Sequence, residues 1–127
     1  MGKSVIIIGA GVVGLACGSE LSKKGYEVFI AEQESYIASQ TSARNSGVIH
    51  AGVYYPSNSL KAKLCTRGKQ LLYKYCEQFG VTYSRTQKLI VATTSDETQI
   101  LLKLRETAAN NGVDLELISG QDAIDRE

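Results

Sequence analysis

Three glycines and one carboxylate carry the first chemistry in this chain. Val5 to Gly14 reads V-I-I-I-G-A-G-V-V-G, and Glu32 follows a second apolar run, Val28 to Ala31. Spaced as G-x-G-x-x-G, Gly9 permits a tight bend, Gly11 lets backbone approach a pyrophosphate, and Gly14 lets a following helix pack close to a strand. The helix then presents amides that lack intrahelical partners, with the positive end of its dipole, where an anion would sit. Glu32 can accept both hydroxyl protons of an adenosine ribose, and its charge repels a 2′-phosphate, so NADP is not expected. The spacing alone does not separate NAD from FAD.

A second polar concentration is T-S-A-R-N-S-G-V-I-H-A-G at 41 to 52, which sets short hydrogen-bonding groups and glycines beside the single histidine, His50. Hydroxyls, an amide and exposed backbone amides of this kind can bind phosphate or flavin carbonyl oxygens. Taken alone, the segment is equally a polar loop with a structural histidine.

These groups need elements to hold them. Val5 to Ile8 is apolar on both faces, as in a strand of a parallel sheet covered above and below. Leu15, Gly18, Leu21 and Ser22 share one side of the next helix, which Gly25 should end in a left-handed cap. A polar but structured loop runs over 33 to 58. A long helix follows, with Asn58 or Ser59 as its cap and Gly80 as its terminator. Leu60, Leu64, Leu71, Leu72, Tyr75, Cys76 and Phe79 mark its expected core face. The residues from Lys88 to Thr93 read as a strand, Ser95 caps a further helix that Asn110-Asn111-Gly112 closes, and the stretch from Val113 to Ile118 returns as a strand. A capped segment begins at Ser119, with Asp122 three residues on. Strands alternate with helices throughout, so the expected class is α/β, with no internal repeat.

At 127 residues the chain has the size of about one domain, which is small for holding both a dinucleotide and a substrate, and a fragment of a larger protein is expected. Fourteen Lys and Arg against 13 Asp and Glu leave no charge excess to recruit nucleic acid. Cys17, Cys65 and Cys76 show no C-x-x-C spacing, and Cys65 and Cys76 lie about three turns apart on one helix, too far for a disulfide. They read as core residues in a reducing compartment, and a cytoplasmic protein without a metal is expected, with peripheral attachment at the inner membrane left open for a longer enzyme.

The runs N-S-G-V-I-H-A-G-V-Y-Y at 45 to 55, S-L-K-A-K-L-C at 59 to 65 and K-L-I-V-A-T at 88 to 93 closely resemble the L-2-hydroxyglutarate oxidases and dehydrogenases of the FAD-dependent D-amino-acid oxidase superfamily. The resemblance extends from Val5 to the last residue. It implies FAD, a Rossmann-like βαβ unit within residues 1–84, the start of a substrate-side α/β region at 85–127, and further chain to complete the enzyme. Under it, Gly9, Gly11, Val12, Val13 and Gly14 meet the pyrophosphate, and Glu32 with its neighbour Gln33 the adenosine ribose. Thr41, Ser42, Asn45, Ser46 and Gly47 line the phosphate-to-flavin stretch, and His50 lies close to the isoalloxazine. One departure stands out: the family commonly has Cys-Gly where this chain has Thr86-Gln87, which puts the backbone of that turn in question.

The implied reaction is oxidation of a 2-hydroxy acid, L-2-hydroxyglutarate to 2-oxoglutarate. A base removes the hydroxyl proton while hydride passes to flavin N5, and His50 is the candidate base. Lys61 or Lys63 can offer charge to a carboxylate, although solvated helix lysines explain them as well. The electron acceptor is open among oxygen, quinone and a protein. Competing readings are a catalytically silent nucleotide-binding module and a related oxidase of glycerol 3-phosphate or amino acids. The chain by itself is expected to be inactive.

Overall fold

The computed structural model describes residues 2–126; Met1 and Glu127 lie outside the described residues. The chain divides into two compact units, Met1–Val48 and Ile49–Glu127. The first opens with β1 (Ser4–Ile8), α1 (Val12–Lys23) and β2 (Glu27–Ala31). β1 and β2 pair in parallel, in a register that sets Ser4 opposite Glu27 and Ile8 opposite Ala31. This is the expected βαβ crossover. Gly25 adopts φ 82°, and its amide bonds the Ser22 carbonyl at 2.9 Å, so the helix closes where the left-handed glycine allows.

α1 lies close to the sheet because Gly18 carries no side chain. A Cβ there would stand 3.2 Å from Ile30 Cδ1 and 3.4 Å from Ile7 Cδ1. The expectation of a strand covered on both faces is not met within this unit. Val5 and Ile7 are half-buried, whereas Ile6 is 71 % and Ile8 91 % exposed, and Phe29 is bare beside them. One helix covers one face; no described element of the unit lies over the other.

The second unit holds α2 (Leu60–Phe79), α3 (Ser95–Asn110) and α4 (Gly120–Asp125). Ser59 caps α2 by accepting from the Ala62 amide at 3.1 Å, and Gly80 ends it at φ 66°. α3 is capped one residue earlier than expected. The Thr94 hydroxyl accepts from the Glu97 amide while the Glu97 carboxylate returns to the amides of Thr93 and Thr94, so Ser95 is the first helical residue rather than the cap. Ser119 and Asp122 form the same reciprocal box at the start of α4.

The core of this unit is small: Val53, Ala108 and Val113, with Ala51, Ile90, Leu104 and Leu115 packed against it. α2 buries only Ala62 and Cys76, and apart from Cys76 the stripe expected to be its core face stays exposed, with Leu60 at 75 %. Cys65 is half-buried and Cys17 exposed, and all three thiols are free. No strand forms over 88–93 or 113–118. Alternating side chains prepare a strand, but pairing makes one, and neither segment has a ladder partner among the described residues. Their apolar residues Ile90, Val113 and Leu115 still serve the core.

Candidate functional site

The glycine turn takes the form that its spacing requires. Gly9 has φ 99°, a conformation that a side chain disfavours. A Cβ on Gly14 would fall 2.0 Å from the Gly9 carbonyl oxygen, so the first turn of α1 and the end of β1 touch at a point only glycine allows. Gly11 is the N-cap of α1 and has no side chain to cap it. The Val12 amide instead donates to Ser42 Oγ at 3.0 Å, while the amides of Val13 and Gly14 have no acceptor within the helix. Thr41 and Ser42 sit in a short 3-10 turn, Thr41–Ala43. A depression of about 490 Å3 is lined by Ile7, Ile8, Gly9, Gly11, Val12, Val13, Gly14, Cys17, Thr41 and Ser42. Thirty residues of sequence separation are thus closed by one hydroxyl.

Glu32 stands at the end of β2, half-buried. One carboxylate oxygen accepts from the Ala10 amide at 2.7 Å and the other from the Glu34 amide at 3.0 Å. The Glu34 amide, then that of Ala10, holds the carboxyl below its ordinary pKa. Each oxygen keeps capacity for a further donor, such as a ribose hydroxyl. Gln33 beside it is exposed. The residues present therefore fit a dinucleotide: a turn without side chains, free helix amides for a pyrophosphate, and a fixed acceptor for the sugar.

The rest of the polar segment folds on itself. Asn45 donates to the Ser42 carbonyl at 2.8 Å and accepts from the Gly47 amide at 2.8 Å, and Ser46 Oγ accepts from the Val48 amide at 3.4 Å. Asn45 is thus occupied in shaping the loop, with Gly47 at φ 66° completing the turn.

His50 belongs to the second unit and is exposed. Its Nδ1 lies 3.2 Å from the Tyr55 hydroxyl. Lys61 Nζ sits 4.4 Å from the centre of the Tyr55 ring, and Lys88 donates to the Tyr54 hydroxyl at 2.8 Å. Asn111, just past α3, holds this loop in place: its side-chain amide donates to the carbonyls of Gly52 at 3.0 Å and Tyr55 at 2.8 Å. Its own carbonyl accepts from Thr66 of α2 at 3.2 Å. Gly52 has φ 92°, and a Cβ on it would meet Thr66 Oγ1 at 2.9 Å. Neither Tyr55 as the partner of His50 nor Asn111 was singled out from the sequence. Asn111 read only as a helix terminator, and no local pattern ties it to carbonyls 56 and 59 residues away.

Among the described residues no His, Cys, Asp or Glu cluster suits a metal, and no helix is long and apolar enough to cross a membrane.

Comparison with known proteins gives the same direction. The chain is 49 % identical over 123 residues to the L-2-hydroxyglutarate dehydrogenase, mitochondrial, of Arabidopsis thaliana, covering 96 % of this chain and 26 % of that protein. It is 42 % identical over 126 residues to the human protein of the same name, covering 97 % and 27 %. The L-2-hydroxyglutarate dehydrogenase of Indibacter alkaliphilus is 39 % identical over 115 residues, with 89 % of this chain and 29 % of that protein covered. The chain spans about a quarter of the length of these relatives. The expectation of a cytoplasmic protein is overturned here, because the plant, slime-mould, human and bovine relatives are named as mitochondrial. Reduced thiols were its only support, and they do not identify a compartment. The model of the family described as FAD dependent oxidoreductase matches residues 4–127, and the chain belongs to this DAO family.

Proposed function

We propose that this chain is the FAD-binding end of an oxidoreductase that converts L-2-hydroxyglutarate to 2-oxoglutarate. The observation that carries the cofactor reading is the contact of Gly14 with the Gly9 carbonyl, beside amides free for a pyrophosphate and a Glu32 carboxylate fixed on Ala10. The substrate reading is supported by the names of the relatives. Bound FAD supplies a two-electron acceptor for the hydride of the substrate carbon. The chain supplies grip and proton handling. Val13 and Gly14 offer amides to the pyrophosphate, Ser42 holds Val12 in place, and Glu32 accepts from the ribose. His50 is the base on which the proton released by the substrate hydroxyl is stored. Residues 85–127 contribute to the substrate side.

The test is anaerobic mixing of the complete, FAD-loaded protein with L-2-hydroxyglutarate. Loss of the yellow flavin absorbance supports the reading, and a spectrum that the acid leaves unchanged refutes the substrate. In the same assay His50→Ala slows flavin reduction by about 100-fold or more and leaves the flavin bound. Reduction at the wild-type rate would remove His50 from the reaction.

A further inference from the structure

The hydrogen bond between His50 and Tyr55 raises a question about the path of the proton. The 3.2 Å contact fits either direction according to the tautomer; with Tyr55 as the donor to Nδ1, the histidine carries its own proton on Nε2. In that tautomer Nδ1 is the single basic atom of the ring, and Tyr55 already occupies it. In that arrangement a substrate hydroxyl passes its proton to His50 by way of the phenol.

The surroundings of Tyr55 suit that task. Asn111 pins its carbonyl at 2.8 Å, which fixes the backbone from which the ring projects. Lys61 Nζ lies 4.4 Å from the ring centre, where a cation is attracted to the π face and favours any negative charge that grows on the phenol. Lys61 and Tyr55 stand six residues apart, joined through the Ser59 cap that starts α2, so the ammonium is carried by a regular element.

We propose that Tyr55 takes the substrate proton directly and that His50 Nδ1 is its destination. This rests on the FAD-dependent reading above. In the step, the substrate O–H bond breaks as a new O–H bond forms at Tyr55, and the proton that Tyr55 held moves to Nδ1. The C–H bond breaks with its electron pair leaving as hydride, for which bound FAD would be the oxidant, and the oxygen lone pair closes the C=O bond. The products are the 2-oxo acid, an intact phenol and an imidazolium; Tyr55 is catalytic and Lys61 assists it.

The test uses Tyr55→Phe in the complete enzyme and the tautomer of His50 in this chain. Because His50 is the single histidine of the 127 residues, imidazole 15N resonances from the labelled chain belong to it alone. The neutral ring is expected to be protonated at Nε2, with an Nδ1 resonance that Tyr55→Phe displaces. A neutral ring protonated at Nδ1, or an Nδ1 resonance indifferent to Tyr55→Phe, overturns the relay. In anaerobic reduction, Tyr55→Phe is expected to be about 100-fold slower than wild type with FAD retained, and Lys61→Met about three- to fivefold slower. A wild-type flavin reduced by the acid and an equally fast Tyr55→Phe overturn the relay alone. A wild-type flavin left oxidised overturns the substrate reading and the relay with it.

Discussion

Glu32 is gripped from two sides before any ligand reaches it, by the amides of Ala10 and Glu34. Its pKa in the folded chain lies below the ordinary 4.5. A carboxylate shifted in this direction stabilises the fold fully above its unfolded value, and that contribution is lost as pH falls through the lower folded one. Acid titration followed by the backbone amide resonance of Ala10 should show the contact persisting below pH 4.5, and Glu32→Gln should flatten that dependence and weaken FAD binding. Gly14→Ala would push a methyl to 2.0 Å from the Gly9 carbonyl, a clash between backbone groups that costs about 1–3 kcal/mol or more. Its expected outcome is a destabilised first unit and loss of flavin retention, measured by thermal unfolding and by the spectrum of the purified complete enzyme. These residues were legible in the sequence because their demands are local: a glycine is needed wherever backbone meets backbone. Tyr55 and Asn111 were not, since what matters about them is which distant atoms they meet.

Caps and terminators were legible at the level of elements, and pairings were not. Ser59, Gly25 and Gly80 act within one turn of themselves, so short stretches of sequence suffice to locate them. The runs 88–93 and 113–118 alternate as strands should, yet a ladder needs a second chain segment, and alternation cannot specify one. The turn before the first of these runs carries its own signature. Gln87 sits at φ 61°, in the left-handed region that glycine occupies freely. Gln87→Gly should therefore raise the stability of the second unit by about 0.5–1 kcal/mol, read as a higher denaturation midpoint. Asn111→Ala should do the reverse. It removes two donors from the carbonyls of Gly52 and Tyr55 and should cost about 1–3 kcal/mol in chemical denaturation, with the His50 resonances shifting as the loop loosens.

At the scale of the molecule, buried side chains among the described residues are few and small: Ala10, Val53, Ala62, Cys76, Ala108 and Val113. Leu60, Leu64, Leu71 and Phe79 along α2, and Ile6, Ile8 and Phe29 on the sheet, face outward. The apolar periodicity that marked these residues as core was real, but periodicity identifies a face that seeks cover without naming what supplies it. The chain spans about a quarter of its relatives, so we expect the 127-residue chain to bind a hydrophobic dye such as ANS strongly and the complete protein to bind it weakly. Equal dye binding by both would show that these faces stay open in the longer protein. The two-stranded sheet has a practical side as well. Among the described residues β1 and β2 have only each other as partners, so each presents an outer edge of unmatched amides and carbonyls next to a bare apolar surface. Such an edge is a template for another copy of itself. For this chain in isolation, concentration becomes a variable in its own right, and dilute samples, rather than tight-binding ligands, are what would keep it monomeric long enough to be measured.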